Sequence, residues 1–279
     1  MKKENIKQIN KKPVHSKEYS EYLKKIRINK GIILTFQLAI LISVFFVWEL
    51  LAQLNLIDTF IMSCPSKIVS QLAILINNGT LFYHIGITLM EATVGFIIAT
   101  VGGSVIAIIL WWNETLRRIL DPYIVVINSL PKIALGPILI IWIGAGFGSI
   151  IAMDILIMIV ITILSMLSAF NSCDTNKILL LKSMGANKLQ ILLKLIIPNS
   201  LIEFISVLKI NVGLTWVGTI MGEYLVSKAG LGYLIVYGGQ VFKLDLVMAS
   251  TIILCLLAVL MYFLVVILEK FVNRKRNNH

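Results

Sequence analysis

The residues with the most chemical potential in this chain are ionisable side chains set among long apolar runs, and they are few. Glu91, Lys132, Glu203, Lys209 and Glu223 fall within or beside such runs. A charge at that depth is costly in hydrocarbon, so it must face a wet interior, find a partner or reach back to the surface. Catalysis would need paired carboxylates or a nucleophile beside a base, and no such set assembles. Cys64, Cys173 and Cys255 lie on different segments without CxxC or CxxH spacing, which indicates neither a metal site nor a disulfide framework. His15, His84 and His279 are isolated from one another, with Glu91 the carboxylate nearest one of them on an apolar run. No GxxxxGK[ST] phosphate loop is present, so the chain is expected neither to hydrolyse ATP nor to carry a cofactor. Two readings remain at this level: a solute path, or an ion relay through Glu91, Lys132 and Lys209 as in an ion-coupled secondary transporter.

The elements that must position these groups follow from composition. The chain has 279 residues, 58% hydrophobic and 14% charged, with uncharged runs near the ~20 residues that cross a ~30 Å hydrocarbon layer. Too little polar surface is left for a soluble helical protein. The expected fold is all-α, a polytopic membrane protein with six transmembrane helices. The first span runs from Gly31 to Trp48, behind thirty polar residues and without a small-residue cleavage site, so it reads as retained. The second lies between Glu91 and Glu114, the third from Tyr123 to about Ile143, the fourth between Asp154 and Asp174, the fifth from about Leu201 to Met221, and the sixth between Asp245 and Glu269.

Sidedness comes from the basic residues. Of 25 Lys and Arg, twenty fall in residues 1–30, at Arg117 and Arg118, at Lys177, Lys182, Lys188 and Lys194, and in the tail from Lys270 to Arg276. Six spans put all four regions on one side, and positive charge marks that side as cytoplasmic. Both termini are therefore expected in the cytoplasm. The same asymmetry accounts for the net charge of +11. The basic arm lacks the aromatic interleaving or module of a nucleic-acid binder and reads as a topology anchor touching anionic lipid. The organisation expected is an arm over 1–30 and a transmembrane domain over 31–279, with its core at about 83–271.

Residues 179–200, LLLKSMGANKLQILLKLIIPNS, are neither a tight loop nor a span. The spacing predicts a helix over 177–184, a break at Gly185 and Ala186, and a second helix capped by Asn187. That second helix has apolar positions at Leu189, Leu192, Leu193, Ile196 and Ile197, and Pro198 ends it. Taken alone this is a helix pair lying in lipid headgroups or a docking knob.

Gly185 followed by Pro198, with Leu195 and Ile197 between, resembles the cytoplasmic signature loop of binding-protein-dependent ABC importer permeases. That loop reads EAA, three residues, Gly, nine residues, Ile, one residue, Leu-Pro; here Leu179, Leu180 and Leu181 stand where EAA would. NSLPKIALGPILIIWIGAGFGS, residues 128–149, resembles the third span of the nitrate/sulfonate/taurine branch at Pro131, Lys132, Ala134, Pro137, Trp142, Gly144 and Gly146. Residues 208–235 resemble its fifth span and following loop at Lys209, Gly213, Gly218, Glu223 and the GLGYLI segment. WELLAQLNLIDTF and GFIIATVGGSVIAI also fit, and the likeness covers roughly residues 45–270.

The resemblance implies a type I importer permease fold. It also implies that two copies form the path, that cytosolic ABC ATPases bind the ATP, and that an extracytoplasmic solute-binding protein delivers nitrate, a sulfonate, taurine or a vitamin precursor. Residues 177–198 would be the ATPase-coupling loop, with Leu180, Lys182, Ser183, Gly185, Ala186 and Pro198 as its residues. The chain would then be a multi-pass protein of the bacterial cell membrane.

The interrupted spans supply the candidate translocation path: Pro131, Lys132, Pro137, Trp142, Lys209, Trp216 and Glu223. Each proline removes an N–H, and such backbone is tolerated where it lines a covered or wet cavity. Lys132 either faces the interior of a dimer or snorkels to the cytoplasm, and Lys209 has the same choice, with Glu203 as an interfacial neighbour. Trp142 and Trp216 line the path or anchor at an interface. Gly213 and Gly218 fit close helix packing better than solute contact. Glu223 meets a binding protein or a gate, or is a solvated loop acid.

Overall fold

In hydrocarbon a run of Leu, Ile and Val can satisfy its backbone N–H and C=O groups within itself only as a helix. The computed structural model describes residues 17–277, and every regular element among them is helical. Most of the basic arm, residues 1–16, lies outside the described residues. The chain divides into two units, Met1–Pro65 and Ser66–His279.

The first unit is α1 (Lys17–Gln53) and a single turn, α2 (Thr59–Met62). Helix starts well before the expected boundary at residue 30. From Ile32 to Val47 α1 presents large apolar side chains all round, Phe36, Ile40, Ile42 and Phe46 among those most exposed. A helix apolar on every face suits lipid rather than water.

The second unit takes in α3 (Pro65–Asn77) from its second residue, then α4 (Thr80–Trp112), α5 (Glu114–Ser129), a 3-10 turn at Lys132–Leu135, α6 (Gly136–Ile143) and α7 (Phe147–Asn171). It continues with α8 (Thr175–Ser183), α9 (Lys188–Ile191), a π turn at Leu192–Ile196, α10 (Ile197–Asn199), α11 (Leu201–Val226), α12 (Leu231–Gln240) and α13 (Leu244–Asn277). Among the described residues five helices are long and apolar enough to cross a membrane: α4, α7, α11 and the apolar lengths of α1 and α13. The third span, expected from Tyr123 to about Ile143, is instead a pair, Glu114–Ser129 and Lys132–Ile143, bent by 87°. Pro131 is the cause: it cannot donate, and it forces Leu130 into an extended conformation, φ −67° and ψ 142°. Pro137 breaks nothing, because it sits at the start of α6, where its missing N–H would have had no partner.

Helix α7 is the centre of this unit, packed between α4 and α11, while α13 covers α12 and α11. Close approach is built from small residues. Gly95, Ala99, Gly103 and Ala107 recur every fourth position on α4 and are all buried. A Cβ on Gly103 would stand 2.7 Å from Thr162 Cβ, and one on Gly222 of α11 would stand 3.0 Å from Ile150 Cα. This spacing of small residues is what membrane helices use to pack without a hydrophobic driving force. Polar bolts add direction. Asn211 Nδ2 on α11 donates to Thr100 on α4 at 3.0 Å and to Thr162 on α7 at 2.9 Å, so one side chain ties three helices.

Candidate functional site

Residues 174–200 fold into a knob. Asp174 caps α8 by accepting from the Asn176 N–H at 2.9 Å. At the other end of α8, Gly185 takes φ +81°. Its N–H bonds to the Lys182 carbonyl and the Ala186 N–H to the Leu181 carbonyl, both at 2.9 Å. That is the paired bonding of a Schellman motif with glycine in the left-handed position. Two residues on, Asn187 and Gln190 form a reciprocal capping box: Gln190 N–H donates to Asn187 Oδ1 at 2.8 Å, and Asn187 N–H to Gln190 Oε1 at 2.9 Å. The Ser183 hydroxyl closes locally on the Leu180 carbonyl.

The expectation that Pro198 ends the second helix is corrected. The chain widens into the π turn at Leu192–Ile196, passes through Pro198, and continues across Ser200 into α11. Proline supplies no N–H to the carbonyl a turn behind it, and the wider turn absorbs that missing bond. Ile191, Leu192 and Ile196 are buried inside the chain, whereas Leu179, Leu180, Met184, Leu189 and Leu193 project outward. Leu192 and Ile196 therefore pack inside the chain rather than on a partner. Lys188 donates to the Trp112 carbonyl at 2.5 Å and lies over the Trp111 and Trp112 rings at 5.7 and 5.4 Å. The knob is thus fastened to the end of α4, and Lys182, Ala186 and Lys188 help line a cavity of about 220 Å³ between them.

The candidate path residues do not gather on one surface. Pro131 and Lys132 lie at the right-angle bend, where Lys132 Nζ reaches Asn128 Oδ1 at 3.2 Å and the Ile157 carbonyl at 3.4 Å. Trp142 is 77% exposed. Trp216 is instead packed in the core with Leu208, Val212 and Leu231. Lys209 pairs with Glu269 of α13 at 2.8 Å rather than with Glu203. Lys132 and Lys209 face different partners, and Glu91 lies apart from both, buried on α4.

Glu223 is not a solvated loop acid, being 2% exposed within α11. It accepts from Thr88 Oγ1 at 2.6 Å, from Gly232 N–H at 2.5 Å and from Tyr233 N–H at 3.3 Å. The Leu231 N–H goes to Thr88 Oγ1 at 2.8 Å and the Gly230 N–H to His84 Nδ1 at 3.0 Å. Four N–H groups that α12 cannot satisfy internally are thereby met by side chains of α4 and α11. Gly230 and Gly232 leave room for the carboxylate, since a Cβ on either would collide with it.

Asp154 and Glu91, expected to border spans, lie inside α7 and α4 and are buried. Asp154 accepts from Thr219 at 3.0 Å and is wedged between Gly95 and Gly218. Glu91 keeps one oxygen, Oε2, without a hydrogen-bond partner. Among the described residues these acids, with His84, make no group able to hold a metal ion. Gly218 packs as expected; Gly213 does not, for a Cβ there would meet open space.

Residues 95–278 match the family described as "Binding-protein-dependent transport system inner membrane component". A probable ABC transporter permease protein of Haemophilus influenzae is 28% identical over 217 residues, covering 78% of this chain and 88% of that one. The taurine transport system permease protein TauC of Escherichia coli is 27% identical, covering 80% and 82%. The formylaminopyrimidine transport permease protein ThiX of Halalkalibacterium halodurans is 29% identical, covering 67% and 74%. Among solved structures, the MetNI methionine ABC transporter in an inward-facing conformation matches with a TM-score of 0.62 at 20% identity, covering 69% of this chain and 96% of that one.

Proposed function

This chain belongs to the binding-protein-dependent transport system inner membrane components, and on that premise we propose how its knob and helices serve an importer. It is the membrane-spanning permease subunit of an ABC importer, not an enzyme, and its curated relatives are transport permeases. Membership implies a partner ATPase and a solute-binding protein. The finer reading is that two copies pair, that both termini lie in the cytoplasm, and that ATP binds only to the partner. The solute class is that of the relatives: taurine, aliphatic sulfonates, formylaminopyrimidine or riboflavin.

The observation that carries the coupling role is the knob's outward apolar face. Leu179, Leu180, Met184 and Leu189 are each more than half exposed on a segment whose turn is over-determined by a Schellman motif and a capping box. A rigid apolar projection beside spans, on the basic side of the chain, suits a groove on a cytosolic partner. The near-unbroken run from Lys188 into α11 supports transmission, because displacement of the knob would tilt α11 directly. The test is a bifunctional thiol crosslink from Met184→Cys to a cysteine placed in the ATPase's permease-facing groove. Formation that changes in yield on ATP binding is the expected result. Equal yield from a cysteine at Ile267, on the exposed side of α13, would overturn the docking assignment.

A further inference from the structure

The seven path candidates scatter, but one groove, apolar over most of its lining, gathers four hydroxyls and a carboxylate. Between α7 and α11, at the end where the knob joins them, lies an open groove of about 500 Å³ lined by Ser165, Ser168, Ser172, Glu203 and Ser206 with Leu164 and Ile210. That is the size of a small-solute site. The serines on α7 recur at helical spacing, so they form one polar stripe. Opposite them Glu203, Ser206 and Ile210 continue along α11 to Gly213, whose missing side chain faces open space.

The charge of the lining is one-sided. Ser172 Oγ donates to the Ala169 carbonyl at 2.9 Å and Ser206 Oγ to the Ile202 carbonyl at 3.2 Å. These hydroxyls spend their protons on their own helices and offer lone pairs to the groove. Glu203 adds a carboxylate, which when ionised only accepts. No Lys, Arg or His is among the lining residues, and the nearest basic residue on α11, Lys209, is held by Glu269 of α13.

The geometry points to this groove as the inner vestibule of the solute path, selective for a solute that presents N–H donors or a positive charge, with Glu203 as the residue that disfavours anions. The inference rests on the permease reading and narrows its solute class. An amine or an amino-substituted heterocycle fits a wall whose one charge is a carboxylate, whereas a nitrate or an aliphatic sulfonate without an amine would meet that carboxylate and no compensating cation. Because Ser172 and Glu203 bracket the knob in sequence, movement of the knob would alter the width of the vestibule.

The test uses the assembled transporter in inside-out vesicles with Ser168→Cys, the parent chain serving as the blank for Cys64, Cys173 and Cys255. Three small methanethiosulfonates are compared: one carrying trimethylammonium, one carrying sulfonate and a neutral one for normalisation. Measured against the same ratio on a free thiol in solution, the cationic-to-anionic rate ratio is expected to be about tenfold larger, the factor a single carboxylate produces ~6 Å away in a wet groove. Glu203→Gln should return the ratio to that of the free thiol, and raised salt should shrink the excess. A ratio equal to or below the free-thiol value with Glu203 present, or an excess untouched by Glu203→Gln, would overturn the proposal. So would protection of the cysteine from all three reagents in the assembled transporter when the isolated chain reacts, since a second copy would then fill the groove. The permease reading is followed separately, through ATP hydrolysis stimulated by the binding protein in the same vesicles.

Discussion

Substituting Gly185 separates the geometry of the knob from its packing. Its backbone sits at φ +81°, yet a Cβ built there has no atom within 4 Å. The cost of Gly185→Ala is therefore conformational alone, about 1–2 kcal/mol for placing an L-residue in the left-handed region. Asn enters that region readily, so Gly185→Asn should lose much less. If the ATPase docks only on the native turn, the apparent Kd for the ATPase rises by the inverse of the native fraction. An energy of 1–2 kcal/mol then weakens docking by roughly 5- to 30-fold where the turn is otherwise marginal. Gly185→Leu should lose at least as much as Ala, because it must adopt the same φ. Membrane abundance should be unchanged in all three, since the turn lies outside the spans. The assay is titration of detergent-solubilised permease with its ATPase, beside immunoblots of membrane fractions. Equal affinities for the Ala and Asn variants would refute the argument from φ, and loss of Ala-variant protein from membranes would mean the knob is needed for folding.

Three other outcomes are expected. Gly218→Leu should sharply lower the amount of folded protein in detergent thermal-shift measurements, because even a Cβ would come within 2.9 Å of Asp154 Cα and force α7 and α11 apart. Thr88→Val should lower stability by about 1–3 kcal/mol in a mixed-micelle unfolding titration, by leaving the Leu231 N–H and part of the Glu223 carboxylate unpaired; Thr88→Ser should retain most of it. Single cysteines at positions 10 and 275 should resist an impermeant maleimide added to intact cells and react in inside-out vesicles, and the reverse pattern would invert the topology.

What could be read from the sequence was what local chemistry determines. The break at Gly185, the cap at Asn187 and the long apolar runs each depend on residues within a turn or two of one another, and the structure has them. Pro131 could be recognised as a break, but its 87° consequence depends on how α5 and α6 each pack. Glu91 and Asp154 were misplaced at span borders because hydropathy scores a carboxylate as unfit for a helix interior. Partners 65 and 135 positions away, such as Thr219 for Asp154 and Thr88 for Glu223, cannot be seen in a window. A usable signal did exist for Glu223: an acid followed by Gly-Leu-Gly, the small residues that let a carboxylate reach a helix N-terminus.

The least legible feature is the one that links the parts. A proline after an amphipathic run ordinarily ends a helix, and by that rule the knob would hang from α11 by a flexible joint. The π turn at Leu192–Ile196 carries the chain through Pro198 instead, and the Ser200 hydroxyl closes back on the Ile196 carbonyl at 2.9 Å. Ile191, Leu192 and Ile196 pack this stretch against Leu110, Met166 and Phe170 of α4 and α7. A lever needs such a seat, since a joint free to flex would dissipate displacement before it reached the spans. The apolar side chains of the second knob helix are therefore divided: the buried three hold the knob to the bundle, and Leu189 and Leu193 project outward, where the docking proposed above would use them. Periodicity assigns Leu189, Leu192, Leu193 and Ile196 to one helix, but only packing divides them and adds Ile191 to the buried side.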